Sequence, residues 1–333
     1  MRLGVAVGSK DPWRFFDAIL DDLQSHYEAD TFKFQSLKTP FLHERINRVR
    51  FHRALDRFLS EHDVVFFEWA SDLLAAATRL PKRGRIVTRL HRYELFQWAP
   101  HVNWDAVDAV ILVSQAMRRR FVERFPSQAG KTVVLPVGVS TERYKPTAKP
   151  FAGDIGTLGS LAPRKRVYDL ILAFRKLVGR RERLHLHIGG GFEPEHLDYF
   201  EALQWLVKES GLQDRVTFYG EVRSPWEWYG RVDVFISNSY SEGLQVAPME
   251  AMACGCQTYS HCWDGAEELV PEENLFLDGD ELGERLLAYY DLPEADKRLC
   301  RERMRSIACE KFDVEKTKKG IRAVIKDVMD AAV

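Results

Sequence analysis

The 333-residue chain has no uninterrupted apolar stretch near the ~20 residues that a membrane-spanning helix requires, which excludes an integral helical membrane protein. Its first apolar run, Leu3 to Val7, ends before Lys10 and is too short for a secretory leader. The expected location is therefore the cytoplasm, or peripherally the inner face of a membrane. Cysteine is missing from the first 253 residues. The five that follow, Cys254, Cys256, Cys262, Cys300 and Cys309, are odd in number, which argues for reduced thiols rather than a disulfide framework. Neither glycine (21) nor proline (14) is enriched enough for a collagenous or disordered chain. Charge of one sign is also missing: 48 Lys and Arg face 49 Asp and Glu. The basic runs at Arg118–Arg120, Arg164–Arg166 and Arg180–Arg183 are scattered and lack interleaved aromatics, so no nucleic-acid partner is expected.

What is present is a globular composition, 45% hydrophobic and 29% charged, in a chain long enough for two domains. The first 150 residues carry 24 Lys and Arg against 17 Asp and Glu, so the rest carries 24 against 32, and the two halves differ in sign. Short β-branched or aromatic runs alternate with helical periodicity throughout. Strands are predicted at Arg2–Gly8, Thr31–Phe34, Val64–Phe67, Ile86–Leu90, Ala109–Val113 and Lys131–Val137, with a first helix over Pro12–His26. This is the alternation of a doubly wound parallel sheet. Pro146, Pro150 and Gly153 punctuate a linker, and the pattern restarts at Asp154–Leu158 with a helix from Val167 to Val178. Ligands of such sheets bind beyond the C-terminal strand ends, which brings forward Glu68, Trp69, His91, Arg92 and Glu94 in the first half, where the first strand ends in the turn Gly8-Ser9-Lys10. A helix over 42–59 carries Arg45, Arg48, Arg50, Arg53 and Arg57 around Ile46, Leu55, Phe58 and Leu59, a pattern compatible with contact to an anionic membrane or with a solvated face.

The most informative stretch is Ile236 to Cys256. A strand, Val232 to Ile236, runs into a polar turn, and a short helix opens near Val246 with Pro248 in its first turn and Gly255 past its end. Glu242 lies in the loop and Glu250 in the helix. Gly243 permits close backbone approach, and the amides of Gly243, Leu244, Gln245 and Val246 form a helix N-terminus suited to a phosphate. Cys254, Cys256, His261 and Cys262 are close in sequence, but the first two end this helix and the others leave the strand 257–260. They read as small buried residues. Asp278 and Asp280 read as a helix cap, and no metal is assigned.

Two glutamates separated by seven residues within Ser-Glu-Gly-Leu-Gln-Val-Ala-Pro-Met-Glu-Ala-Met-Ala-Cys-Gly resemble the signature of the retaining family 4 glycosyltransferases. The resemblance implies a GT-B fold, two Rossmann-like domains facing across a cleft: 1–149 for the acceptor, 150–312 for a nucleotide sugar, and 313–333 as a helix crossing back to the first. It implies an enzyme that moves a sugar from a UDP- or GDP-linked donor to a hydroxyl of a glycan, glycolipid or other acceptor. The anomeric configuration is retained and no metal or other cofactor is used. Glu250 would hold the ribose, Glu242 the transferred sugar, and the backbone at Val222 the base. The turn Gly159-Ser-Leu-Ala-Pro-Arg-Lys165 is similar to the family's Gly-Arg-Leu-x-x-x-Lys, so Lys165 would clamp the diphosphate. Ser160 replaces the usual Arg, with Arg164 or Arg166 nearby. His91, in Thr-Arg-Leu-His-Arg-Tyr-Glu, matches a family histidine over the donor sugar, which with Glu242 and Lys165 completes the expected catalytic set. Glu68 and Glu94, like Gly8 and Ser9, remain candidates for the acceptor.

Two other classes fit parts of the sequence. Nucleotide-sugar epimerases share this architecture, but their Asp-Ser-Gly-Gly motif is replaced here by Asn238-Ser-Tyr-Ser-Glu-Gly. A non-enzymatic polyanion-binding protein would need a continuous basic surface, which the scattered runs do not supply.

Overall fold

The computed structural model describes residues 2–8, 16–37, 43–181 and 183–331. They form two compact units, residues 1–136 with 315–333, and residues 137–314. In the first, β1 (Arg2–Ala6), α1 (Asp17–His26), β2 (Glu28–Thr31), α2 (His43–Glu61), β3 (Val64–Phe67), α3 (Asp72–Ala77), β4 (Arg85–Leu90), α4 (Arg92–Gln97), β5 (Ala109–Leu112), α5 (Gln115–Arg124) and β6 (Thr132–Val134) follow in order. All pairings are parallel, in the order β2-β1-β3-β4-β5-β6. Helices on both faces explain why β3 reads Val-Val-Phe-Phe with every side chain buried, rather than alternating.

Ser9 and the predicted helix start at Pro12 lie outside the described residues. One strand is shifted: β2 ends at Thr31, where a strand over Thr31–Phe34 was expected. The aromatics that suggested a strand instead pack edge-on against helix α2, Phe32 onto Phe51 and Phe58, and Phe34 onto Phe51. An edge strand needs only one ladder, so the polar Glu28–Thr31 stretch suffices for it.

The second unit repeats the plan with β7 (Ile155–Leu158), α6 (Val167–Val178), β8 (Leu186–Gly189), α7 (Leu197–Glu209), β9 (Val216–Phe218), α8 (Pro225–Tyr229), β10 (Val234–Ser237), α9 (Val246–Ala253), β11 (Gln257–His261), β12 (Leu275–Phe276), α10 (Gly279–Asp291) and α11 (Glu294–Lys311). Its parallel strands run β12-β11-β10-β7-β8-β9. From β7 the chain winds outward through β8 and β9, then returns to place β10 on the other side of β7. The switch point therefore lies between the ends of β7 and β10, where open sheets place their ligands. Helix α6 shows why the sequence folds this way: Val167, Leu170, Ile171, Phe174 and Leu177 recur at three and four residues and are all buried.

Residues 137–149 precede the boundary drawn from sequence but group with the second unit, because Val139 exchanges backbone hydrogen bonds with Phe312 and Val314. The last helix, α12 (Val314–Asp330), lies almost wholly in the first unit. Its Ile321, Val324, Ile325 and Val328 join Leu3, Val5, Phe16 and Val64 in one core. At roughly 2 kcal/mol for each buried aliphatic side chain, an upper estimate, that face makes the helix integral to the unit.

Candidate functional site

The loops leaving β7 and β10 meet at the switch point. After β7, Gly159 to Lys165 turn back beside the loop after β8: the Gly159 amide donates to Gly189 O at 3.1 Å, and Leu161 to Gly191 O at 2.7 Å. Gly190 makes this possible. It adopts φ +123°, and a Cβ there would lie 1.8 Å from Gly159 O. The turn then ends at Arg166, a non-glycine residue at φ 51° whose carbonyl accepts from Asn238 Nδ2 at 2.9 Å. Such a conformation is costly for an arginine and persists only where its surroundings hold it.

This geometry delivers two cations to one carboxylate. Lys165 Nζ and Arg164 Nη1 each lie 2.6 Å from Glu242 Oε1, and Arg164 also donates to Ser241 O at 2.8 Å. Burial alone would raise the Glu242 carboxyl, but Lys165, Arg164 and the Ser239 hydroxyl together hold it below its ordinary value. Two positive charges against one leave an excess at the N-terminus of α9. Gln245 stands at the N-cap without capping it, its side-chain oxygen taken by the Ser237 hydroxyl. The space among Gly159, Lys165, Ser237 to Ser239 and Gln245 is only about 10 Å³.

Glu250, on the first turns of α9, is held by partners that sequence reading missed. Tyr144 donates to one carboxylate oxygen at 2.6 Å and Tyr229 to the other at 3.0 Å. Burial outweighs both hydrogen bonds and pushes the carboxyl up to about 7. Arg143 lies over the Trp226 ring, 3.6 Å from its centroid, beside the same tyrosine. Neither tyrosine has a local signal: Tyr144 stands two residues before Pro146 and Tyr229 closes the short aromatic helix α8. Val222 packs beneath them against the cluster of Trp228 and Tyr229. Ser160 is exposed, whereas Gly243 and Leu244 are buried.

In the first unit, Glu68 and Arg89 stand at the ends of β3 and β4, both with no exposure, and pair through Arg89 Nε at 3.0 Å and a second contact from Nη2. His91 Nε2 lies 3.4 Å from the same Glu68 oxygen, and its ring packs against Trp69 at 4.1 Å. His91 and Glu94 form a capping box on α4, the His91 amide donating to Glu94 Oε1 at 3.2 Å. Gly8 is buried just beyond β1. Thus Glu68, His91 and Glu94 come together, with Arg89 as an unforeseen member; a lone arginine in an apolar strand was its signal.

Among the described residues no cluster of His, Cys, Asp or Glu is arranged to hold a metal ion. Cys254 and Cys256 are buried, and Asp278 caps α10 by accepting from the Asp280 and Glu281 amides at 2.9 Å. No described helix is long and apolar enough to cross a membrane.

Comparison with known proteins agrees with this arrangement. Residues 17–143 match the model of Glycosyltransferase Family 4, and residues 152–291 that of Glycosyl transferases group 1. A GDP-mannose-dependent alpha-(1-6)-phosphatidylinositol monomannoside mannosyltransferase of Mycobacterium tuberculosis is 30% identical over 256 residues, 67% of this chain. That stretch spans 65% of the relative's own length. The lipopolysaccharide core biosynthesis mannosyltransferase LpsB of Rhizobium meliloti is 26% identical, over 60% of this chain and 61% of its own. Among solved structures, Anabaena HepE in complex with UDP and glucose superposes with a TM-score of 0.77 at 19% identity, covering 97% of this chain and 99% of that one. Sucrose-phosphate synthase from Thermosynechococcus elongatus gives 0.80 at 18%, covering 99% and 100%. These two likenesses establish the fold, two parallel α/β units of the GT-B type.

Proposed function

From the premise that the chain belongs to family 4 of the glycosyltransferases, we propose that it transfers a sugar from a nucleoside diphosphate to an acceptor hydroxyl, using the switch point of the second unit as its donor site. The observation that carries this reading is the convergence of Lys165 and Arg164 on Glu242 at the N-terminus of α9, with Glu250 one helical stretch away.

The bond that breaks joins the anomeric carbon to a diphosphate oxygen, and negative charge grows on the departing phosphate. Lys165, Arg164 and the helix N-terminus are placed to meet that charge. Arg164 takes the part of the arginine for which Ser160 stands. The arriving diphosphate competes with Glu242 for the two cations, and the released carboxylate is then available to the sugar hydroxyls. Glu250 accepts from the ribose, for which a carboxylate with two fixed oxygens is suited. The acceptor hydroxyl oxygen forms the new bond to the anomeric carbon and its proton passes to the departing diphosphate oxygen. Transfer is read as retaining and as needing no metal, since protein cations serve the leaving group.

The acceptor is assigned to the first unit, beside His91. The names of the relatives, a phosphatidylinositol mannoside enzyme and a lipopolysaccharide core enzyme, favour a glycolipid or polysaccharide acceptor, and the first of them favours GDP among the two donor nucleotides expected. Helix α2 supports a further proposal, peripheral contact with an anionic membrane: Ile46 and Val49 are exposed among Arg45, Arg48, Arg50 and Arg53. Calorimetric titration with UDP- and GDP-sugars in EDTA tests the donor assignment. Binding of one nucleotide series, lost in Glu250→Ala, supports it; binding only with added divalent metal would overturn the metal-free reading. Sedimentation with phosphatidylglycerol vesicles tests the membrane contact, which Arg45→Glu with Arg48→Glu should abolish.

A further inference from the structure

A cavity of about 590 Å³ opens in the second unit between the segment 146–149, the turns at Gly230 and Gly255, and helix α11. Its volume is that of a small-molecule site. It is not the donor site. Asp233 and Gly255 precede β10 and β11, so the cavity sits where strands enter the sheet, whereas Lys165 and Glu242 stand where strands leave it.

The lining has a definite chemistry. Its charged members are Lys149, Arg298, Arg301 and Arg305 with Asp233 and Glu302. Asp233 is already committed: one oxygen accepts from the amides of Ala152, Gly153 and Asp154 at 3.0, 2.8 and 3.1 Å, and Lys149 lies 3.0 Å from the other. Arg298 lies 3.7 Å from Glu302 and Arg301 3.2 Å from Glu294, and Arg305 donates to the carbonyls of Thr141, Tyr144 and Ala253, so four cations stand here against three carboxylates. The lining also has apolar members, Pro146, Val232 and the buried ring of Tyr229. A lining that combines cations with apolar side chains suits a phosphate, sulfate or carboxylate carried on a small carbon skeleton.

The cavity is also joined to Glu250. Tyr229, which lines it, donates to Glu250 Oε2, and the Cys254 amide, also at its wall, donates to the Glu250 carbonyl. Arg305 donates to the carbonyl of Tyr144, whose hydroxyl holds the other Glu250 oxygen. An anion drawing on Arg305 would loosen Tyr144 and with it the orientation of the carboxylate. We propose that this cavity is a second ligand site, taking a small organic anion, and that its occupant weakens nucleotide binding through the tyrosines that hold Glu250. The second clause rests on the donor assignment above; the first does not.

The test is calorimetry on the full chain with phenyl phosphate as the anionic probe and benzylamine as a cation of similar size. Phenyl phosphate should bind once per chain in the presence of saturating UDP or GDP, and benzylamine should not. Arg298→Gln with Arg301→Gln should weaken the probe at least about tenfold. Ala148→Trp, at an exposed position on the lip, should block it while leaving every cation in place. The nucleotide Kd should rise at least about fivefold and level off as the probe saturates. No binding at millimolar probe, equal binding of benzylamine, or unchanged affinity in both variants would overturn the site. Displacement without a plateau would show competition at the donor site and overturn it equally. An unchanged nucleotide Kd would overturn the coupling. Phenyl phosphate binding to a protein that binds neither nucleotide would overturn the donor assignment and leave the anion site standing.

Discussion

Glu250 gives the sharpest quantitative expectation, because its carboxyl is carried up by burial to about 7 while it is asked to accept hydrogen bonds as a carboxylate. A group ionising at about 7 is roughly a tenth ionised at pH 6 and nine-tenths at pH 8. Affinity for a nucleotide sugar, whose diphosphate diester does not titrate in this range, should therefore rise about tenfold from pH 6 to pH 8. The same shift has an opposite consequence for stability. A carboxyl raised from 4.5 to about 7 binds its proton more tightly when folded, so folding stability falls as pH climbs from about 4.5 to about 7 and is level above that. The full effect is about 3 kcal/mol. Glu250→Gln removes the charge and keeps the shape. At pH 8 it should be more stable than the parent by up to about 3 kcal/mol, at pH 4.5 nearly equal to it, and at both it should bind nucleotide sugar weakly without the pH dependence. Urea denaturation at the two pH values and calorimetric titration between them measure both arms. A flat affinity profile in the parent, or the same profile in Glu250→Gln, would refute the reasoning.

Lys165→Ala should lower kcat by about two to three orders of magnitude with a smaller change in KM, and Arg164→Ala should do the same to a lesser degree; equal kcat in steady-state assays would remove these residues from leaving-group stabilisation. Gly190→Ala forces a Cβ against Gly159 O and should cost more than about 3 kcal/mol in urea denaturation. Gly211→Ala is the control, for its φ is +66° with nothing within 4 Å, and it should cost only about 1 kcal/mol. Glu68→Gln leaves Arg89 as an uncompensated buried charge and should destabilise by about 3–5 kcal/mol. Glu68→Gln combined with Arg89→Met should recover most of that loss by the same measurement.

The contrast between what sequence disclosed and what it hid follows from the range of the interactions involved. Helix α6 was legible to the residue because its apolar spacing, its acidic first turn and the following glycine are all local. The Glu242-to-Glu250 stretch was legible for the same reason: a loop and the helix it opens specify their own shape. Strand β2 was misplaced because Phe32 and Phe34 serve a helix distant in sequence, and period alone does not tell an aromatic in a ladder from one beside it. The hidden parts of the candidate site are all long-range partners. Tyr144 reaches Glu250 across 106 positions, and Glu68 and Arg89 are 21 apart on separate strands. Each such partner fixes a charged group that local sequence can only name. Lys165 and Glu242 were both foreseen as ligand-facing, yet their direct contact, 77 positions apart, was not. On the donor assignment proposed above, that contact changes the expected order of events: a diphosphate would first have to outbid Glu242 for Lys165 and Arg164. Neutralising the competitor in Glu242→Gln should then tighten binding of a bare nucleoside diphosphate while slowing sugar transfer. Weaker binding of both nucleotide and nucleotide sugar would place Glu242 among the donor's direct anchors instead.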